Sequence, residues 1–329
     1  MRSAASTFLV LVGVHVGAPG CDRHREVQWP GLRTIGAQGT APGQFVEPRA
    51  IAASKEGKLF AIDRTGRVQR FSASGGFEYF WEMPDNSPDV GKPSGICVDI
   101  AGRVFVADTH YHRIIVFDQG GHELFRFGER GSGPGQLILP CDVAVDRAGF
   151  IYVCEYGLND RVSKFDQSGR YLFSFGSLSD GPAALRRPSG LAIDEDDNIW
   201  VADAGNHRVC CFDPQGTLRK TFGGLGTDPG RFRYPRDIVV LDGGALAVVD
   251  YGNSRVAYFD RVGRFLTCWG RPGRGDGELH GPLNVAGADG AVLVADSKNH
   301  RVVSLDREPF QEPEIAVTSR VGIQPTPGE

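Results

Sequence analysis

This sequence has few methionines, no cysteine pair with metal-binding spacing and no segment with sustained helical periodicity. The 329 residues include seven cysteines but no CxxC pair, which argues against a cysteine zinc site. The net charge is only -4, so the chain has no general attraction to nucleic acid or anionic lipid. Methionine occurs twice, whereas the 45 glycines and many short apolar runs are typical of an all-β protein rich in turns.

The longest apolar run lies near the N-terminus, at residues 4–16. It follows one arginine and precedes small residues, a pattern typical of a secretory signal and too short to span a bilayer. Residues 18–21, Ala-Pro-Gly-Cys, resemble a bacterial lipobox, although Ala18 stands where leucine is usual. We therefore expect an exported protein of the periplasm or cell envelope, a lipoprotein acylated at Cys21 and held to the membrane only by that lipid. The alternative is a wrongly assigned start site or an uncleaved, disordered tail.

A segment of about 47 residues recurs six times along the chain. Each copy opens with a Pro-led apolar run and continues with an acidic residue and an arginine, as in residues 188–216. The opening prolines lie 45 to 48 residues apart, at Pro48, Pro93, Pro140, Pro188, Pro235 and Pro282. A fixed period in this range indicates a propeller or a solenoid.

Each copy contains four candidate strands separated by polar turns. In the fourth copy they are Ser189–Ile193, Ile199–Ala202, Val209–Phe212 and Leu218–Phe222. Four antiparallel strands per unit form the blade of a β-propeller. The sequence therefore predicts an all-β protein, a six-bladed β-propeller, and we expect it to be a monomer.

The two ends of the repeat array complement each other. Residues 32–51 match residues 219–238 at ten of twenty positions without a gap, so the array begins with an isolated fourth strand. The last copy stops after its third strand, near Leu305. We predict that residues 32–36 complete this last blade and thereby hide the open sheet edges. The predicted boundaries are a signal peptide at 1–20, a linker at 21–31, the propeller at 32–310 and a Pro-rich tail at 311–329.

These segments resemble the NHL-repeat family. The shared pattern is P-x-G/D-[IV]-A-V-D, then V-A-D-x-x-N-x-R-V, then F-D-x-x-G and F-G, and it recurs in phase over residues 32–306. The resemblance implies a six-bladed propeller. It implies several functions, since such propellers include RNA-binding and other interaction modules, sensor domains of bacterial kinases and a peptide-amidating lyase.

An acidic residue and an arginine bracket the loop between the second and third strands of every copy. Six equivalent pairs argue for structure, because a catalytic centre needs different residues from different blades. The pairs are Asp63 with Arg67, Asp108 with Arg113, Glu155 with Arg161, Asp203 with Arg208, Asp250 with Arg255, and Asp296 with Arg301. We expect each pair to hold its loop through an ion pair or arginine hydrogen bonds to the backbone.

Metal chemistry would require ligands that converge. His112, His207 and His300 precede the arginine in alternate blades, too far apart to share one zinc ion, and are expected to be solvated. In the amidating lyase, zinc-binding histidines follow the repeat prolines, whereas none does here, which argues against that activity. Oxygen atoms from Asp142, Asp237 and Asn284 could hold Ca²⁺ in the central channel, and a Zn²⁺ ion there is the other alternative.

The face formed by the Pro-led strands and the acid–arginine loops is the predicted binding surface. Tyrosine and arginine, which are favoured in recognition, occur on it repeatedly. Its candidate residues are Arg49, Tyr111, Asp142, Tyr156, His207, Arg236, Asp237, Tyr251, Asn284 and His300. We predict a non-catalytic binding or scaffold module for a protein, peptide or glycan, with nucleic acid an unfavoured partner. A metal-dependent lyase or hydrolase that uses the same face is the alternative.

Overall fold

The protein is described by a computed structural model over residues 31–85, 92–288 and 290–306. The predicted signal peptide, the acylation site and the C-terminal tail lie outside these residues. Inside them the only helices are short 3₁₀ turns: Thr109–Tyr111, Leu178–Ala183, Ala204–Asn206, Asp242–Gly244, Tyr251–Asn253 and Ser297–Asn299. None of these described helices has the length and apolar character that crossing a membrane demands.

Twenty-six strands account for nearly all regular structure. The chain starts with β1 (Arg33–Ile35). Blade one comprises β2 (Pro48–Ala53), β3 (Leu59–Asp63), β4 (Arg67–Phe71) and β5 (Phe77–Glu82). Blade two comprises β6 (Gly95–Val98), β7 (Val104–Asp108), β8 (Arg113–Phe117) and β9 (Glu123–Phe127). Blade three comprises β10 (Pro140–Val145), β11 (Ile151–Glu155), β12 (Arg161–Phe165) and β13 (Tyr171–Phe175).

The remaining strands repeat this plan. Blade four comprises β14 (Pro188–Ile193), β15 (Ile199–Asp203), β16 (Arg208–Phe212) and β17 (Leu218–Gly223). Blade five comprises β18 (Pro235–Val240), β19 (Leu246–Asp250), β20 (Arg255–Phe259) and β21 (Phe265–Trp269). A short parallel pair follows, β22 (Arg271–Pro272) with β23 (Glu278–Leu279). Blade six contains β24 (Pro282–Ala288), β25 (Ala291–Asp296) and β26 (Arg301–Asp306).

The six sheets form a closed ring. In five sheets the four strands are antiparallel neighbours in chain order, and in blade six β1 is the outer neighbour of β26. The first strand of every blade contacts the first strands of the two adjacent blades. The first strands therefore surround the central channel, with blade six between blades five and one. The predicted all-β, six-bladed β-propeller is confirmed, and the predicted strands of blade four agree with the observed ones to within one residue.

Strand β1 closes the ring as predicted. It pairs antiparallel with β26, with Thr34 opposite Val303 and Ile35 opposite Val302. Ile35 is buried in the same apolar cluster as Phe71 of blade one. The N-terminal strand thus supplies both the fourth strand of blade six and part of the contact of this blade with blade one, so blade six has the same four strands as the other five.

Aromatic residues pack each blade against the next. The fourth strand of blade three places Phe175 4.9 Å from Phe212 on the third strand of blade four. Phe222 and Phe259 repeat this contact between blades four and five, with ring centroids 4.7 Å apart. These are the phenylalanines of the repeated F-G and F-D motifs. Their recurrence in the sequence therefore follows from one interblade contact made again and again, each ring stabilising the fold by roughly 3–5 kcal/mol relative to alanine.

Gly216 shows why the F-D-x-x-G turn needs its glycine. Its φ is +81°, and a Cβ there would lie 2.7 Å from the Cβ of Phe175 in the preceding blade. Any side chain at this position would strain the backbone and push out the aromatic residue that joins the two blades. The geometry of the turn and the packing between blades thus both require glycine at position 216.

Candidate functional site

The Pro-led strands and the acid–arginine loops lie on one face of the ring, here called the loop face. In five blades the opening proline is the register partner of the acidic residue, as Pro188 is of Asp203. The first strand therefore starts where the second ends, and the second-to-third-strand loop lies beside it. In blades two, four, five and six this loop is a 3₁₀ turn that ends in a left-handed residue.

The six predicted acid–arginine ion pairs are confirmed, and we call each an acid–arginine clamp. The nitrogen–oxygen distances range from 2.7 to 3.1 Å, and the acidic side chains are buried. In blade five, Arg255 Nε donates to Asp250 Oδ2 at 2.8 Å while the side chain of Asp250 is 0% exposed. A buried carboxylate of this kind depends on its cation and on further hydrogen bonds to remain charged.

Each clamp also holds the segment that arrives from the preceding blade. The Arg255 guanidinium donates to the backbone carbonyls of Thr227 and Arg231, and Asp250 Oδ1 accepts the backbone N–H of Arg233 at 2.7 Å. Arg208 and Asp203 repeat these contacts one blade earlier. The clamps therefore fix the connections between blades and present the loop face on a rigid base.

The three histidines are partly exposed, and each also makes a structural hydrogen bond. Each Nδ1 accepts the backbone N–H of the residue before the next blade's proline, at 3.0 to 3.1 Å. The donor–acceptor pairs are Leu139 with His112, Tyr234 with His207, and Glu47 with His300. All three donors have positive φ, a conformation that the bond helps to hold. Burial, followed by the charge of Arg130, lowers the pKa of His112 and favours the neutral, accepting ring.

The predicted oxygen ligands join neighbouring first strands. Asp142 Oδ2 accepts the N–H of Leu191 in the next blade at 2.9 Å. Asp237 Oδ2 accepts the N–H of Val285 at 2.8 Å and an amide hydrogen of Asn284, whose own Oδ1 accepts the N–H of Ile51. All three side chains are buried. These hydrogen bonds run around the channel from blade to blade.

The two glycines Gly95 and Gly190 make room for these carboxylates. They occupy the position of Asp142 and Asp237 in blades two and four, and a Cβ on either would meet the aspartate of the next blade. At Gly95 it would lie 2.6 Å from Asp142 Cα, far below any real contact. Small and acidic residues therefore alternate around this part of the ring, a pairing that sequence reasoning missed because the partners lie one repeat apart.

Burial disfavours the charged form of the two channel carboxylates, Asp142 and Asp237. Burial raises the pKa of Asp237 to about 7, and burial together with the charge of Asp237 raises the pKa of Asp142 well above its usual value. Among the described residues, no group of three or more His, Cys, Asp or Glu side chains could hold a metal ion. The arrangement gives Asp142, Asp237 and Asn284 a structural role, and calcium binding by them stays a prediction.

The residues that follow the repeat prolines occupy β-bulges at the rim of the channel. The register shifts between Pro48 and Ala50, and again between Pro235 and Asp237, so that Arg49 and Arg236 are the extra residues. A bulge turns its side chain away from the regular alternation and is common beside functional sites. We call Arg49, Arg236 and their surroundings the channel mouth.

Arg49 is partly buried at the channel mouth. Its Nε is buried and has no hydrogen-bond partner among the described residues. Burial, followed by the nearby charge of Arg236, lowers the pKa of Arg49, while Tyr156 opposes that effect. Burial and the charge of Arg49 likewise lower the pKa of His110. Arg49 of blade one therefore lies near His110 of blade two, Tyr156 of blade three and Arg236 of blade five.

Aromatic and basic side chains surround the channel mouth. Tyr251 is 41% exposed, and Tyr234, which the sequence analysis did not single out, is 52% exposed with its ring 4.4 Å from that of His207. Tyr111 lies under the guanidinium of Arg113 at 4.9 Å. The exposed arginines of the same face are Arg186, Arg187, Arg231 and Arg233. The predicted tyrosines and arginines are thus spread over the loop face of several blades, and the four exposed arginines lie at the entries of blades four and five.

Family comparison agrees with this geometry. The model of the NHL repeat matches three segments, residues 91–117, 185–212 and 232–259, which correspond to blades two, four and five. The chain is an NHL-repeat β-propeller. The unmatched blades of this NHL-repeat propeller depart from the motif. Blade three, for example, spaces Glu155 and Arg161 one residue further apart than the equivalent pair of blade four.

Known proteins resemble this NHL-repeat propeller in part or in fold. Protein brain tumor of Drosophila melanogaster is 46% identical over 65 residues, which are 20% of this chain and 6% of that protein. A protein of unknown function from Bacteroides thetaiotaomicron has a TM-score of 0.63 at 17% identity, over 83% of this chain and 75% of the other. The matched segment is thus a small fraction of the Drosophila protein.

Two enzymes share the fold. A gluconolactonase of Xanthomonas campestris has a TM-score of 0.60 at 17% identity, over 84% of this chain and 98% of that enzyme. A streptogramin B lyase has a TM-score of 0.58 at 14% identity, with the same coverage of 84% and 98%. At these identities the likeness concerns the propeller fold alone.

Proposed function

We propose that this propeller is a non-catalytic binding module and that its loop face recognises a protein or peptide partner. The observation that carries the proposal is the set of tyrosines and arginines that surround the channel mouth with exposed or unpartnered polar groups. Exposed Tyr234 and Tyr251 offer large, rigid contact area, and tyrosine and arginine dominate the energetics of protein recognition. An envelope location, as the N-terminal sequence suggests, would place such partners within reach.

The distribution of titratable groups favours binding over catalysis. The carboxylates of the clamps and of the channel are buried and hydrogen-bonded to backbone, and the three loop histidines accept backbone N–H groups. A general base needs a lone pair that faces substrate. A lyase or lactonase activity, which the enzymes of similar fold suggest as the alternative, could use none of these groups without breaking a contact that holds the blades together.

Array binding with matched tyrosine variants tests this function. We expect the protein to bind members of peptide arrays, and the double variant Tyr234→Ala, Tyr251→Ala to lose about 10-fold or more in affinity because two contact residues are truncated. Tyr79→Ala is the control, since Tyr79 is 45% exposed but lies on the outer strand of blade one.

Three results would overturn this function. One is binding that depends on Tyr79 and not on the loop face. The second is selective binding to glycan arrays instead of peptides. The third is steady conversion of a lactone or a streptogramin to product.

A further inference from the structure

The channel mouth holds two arginines that lack the acidic partner that the clamp arginines possess. Every clamp arginine lies within 3.1 Å of a carboxylate oxygen. Neither Arg49 nor Arg236 takes part in an ion pair among the described residues, and the buried Nε of Arg49 has no hydrogen-bond partner there. Asp142 and Asp237 act on Arg236 only through space and without an ion pair, and Glu47 acts on Arg49 in the same way. The hydrogen-bond donors of two half-buried guanidinium groups are therefore open to a bound anion.

We propose that Arg49 and Arg236 together bind one carboxylate that an acidic peptide segment of a protein partner inserts into the channel mouth. This inference rests on the proposed function and specifies its ligand. The guanidinium group presents a planar fork of donors that matches a carboxylate, and a desolvated position strengthens such charge-assisted hydrogen bonds. The hydroxyl group of Tyr156, which lies close enough to influence Arg49, is an additional donor.

The surroundings favour an acidic protein segment. The chain as a whole carries a net charge of -4, yet Arg186, Arg187 and Arg233 are exposed beside this mouth. These exposed arginines complement an acidic sequence. Tyr234 and Tyr251 lie on the same face and supply contacts for the residues next to the inserted carboxylate.

The recessed position of Arg49 and Arg236 favours a carboxylate over a nucleic acid as the ligand. Both side chains are only partly exposed and start from the first strands at the channel, below the exposed loops. A phosphate backbone that lies across the loop face would meet the exposed arginines first, whereas a side-chain carboxylate or a chain terminus can enter the mouth. RNA is therefore the alternative that the experiment must reject.

The test compares defined probes on matched variants. The probes are short peptides rich in Asp, Glu and Tyr, the same peptides with Asn and Gln in place of the acids, each with a free or an amidated C-terminus, and a single-stranded uridine RNA. We expect only peptides with a carboxylate to bind, and expect R49Q and R236Q each to weaken that binding about 10- to 100-fold. If amidated acidic peptides still bind, the bound carboxylate belongs to a side chain. Binding that requires the free C-terminus identifies the chain end.

A stability measurement distinguishes a ligand site from a structural role. Since R49Q removes one of two neighbouring like charges, its thermal unfolding temperature should equal or exceed that of the wild type. R147Q is the control for both measurements, because Arg147 is 65% exposed, pairs with Glu195 and lies on the turn of blade three opposite the loop face. It should leave binding and unfolding unchanged.

Three outcomes would overturn the inference. One is equal binding of acidic and neutral peptides that R49Q and R236Q leave unaltered. If that binding still needs Tyr234 and Tyr251, the loop face remains the recognition surface and only the carboxylate site is wrong. The second is tighter binding of the RNA than of any acidic peptide. The third is a lower unfolding temperature in R49Q together with loss of every probe, which would make Arg49 a structural residue.

Discussion

Replacing Arg255 by alanine is expected to lower the unfolding temperature of the protein by roughly 10 °C. The change leaves the Asp250 carboxylate, which is 0% exposed, without its cation, and frees the carbonyls of Thr227 and Arg231 from their donor. Removing one partner of a buried ion pair costs about 3–5 kcal/mol, and each kcal/mol shifts the midpoint of a domain of this size by about 2–4 °C. Differential scanning calorimetry measures the shift.

An exposed ion pair provides the control for this clamp. Arg147 and Glu195 lie 3.4 Å apart with side chains 65% and 78% exposed, so Arg147→Ala should change stability by less than about 1 kcal/mol. Equal midpoint shifts for Arg255→Ala and Arg147→Ala would show that the clamps do not hold the blades. A shift confined to Arg255→Ala supports the structural role that six equivalent pairs predict.

Replacing Asp237 by asparagine is expected to stabilise the protein at pH 8 but not at pH 4. Burial raises the pKa of Asp237 to about 7, above its unfolded value of about 4. Between these two values the folded state binds the extra proton, so the wild type loses stability as the pH rises through this window, by about 1.4 kcal/mol per unit of pKa difference. The neutral amide avoids this loss and still accepts the N–H of Val285.

Asparagine at position 284 offers the reverse substitution. Asn284→Asp adds a carboxylate beside Asp237, and it should lower the unfolding temperature more at pH 8 than at pH 4. Both variants are followed by thermal unfolding across this pH range. A constant difference between Asp237→Asn and the wild type at every pH would contradict the raised pKa and the desolvated setting of the channel carboxylates.

The architecture was accessible from the sequence because each blade repeats local signals. The opening prolines and the acid–arginine pairs mark where strands begin and end, so the strands of blade four could be placed to within one residue. Closure was accessible for the same reason, since residues 32–36 carry the pattern of a fourth strand. Because the contacts between blades recur, the residues that make them recur in the sequence at a fixed spacing.

The site was only partly accessible because its contacts join residues that are far apart in the chain. His300 accepts the N–H of Glu47 across 253 positions, and nothing near His300 in sequence reveals that partner. Gly190 has no side chain to clash with Asp237, which lies one repeat further along the sequence. The sequence identified Arg49 and Arg236 as candidates, but the buried, unpartnered Nε of Arg49 emerges only when the bulged first strands meet at the channel.

Closure of the ring by the N-terminal strand is the central claim, since the shared loop face depends on it. Thr34 and Val303 are register partners, and opposite residues of an antiparallel pair lie about 4.5–5.5 Å apart, within the span of a disulfide. The double variant Thr34→Cys, Val303→Cys should therefore form an intramolecular disulfide in the monomer, as read by non-reducing electrophoresis and peptide mapping. Thr34→Cys paired with Gln215→Cys of blade four should not. Crosslinking of Thr34→Cys only between molecules, or equally to both positions, would show that the ring is not closed in this way.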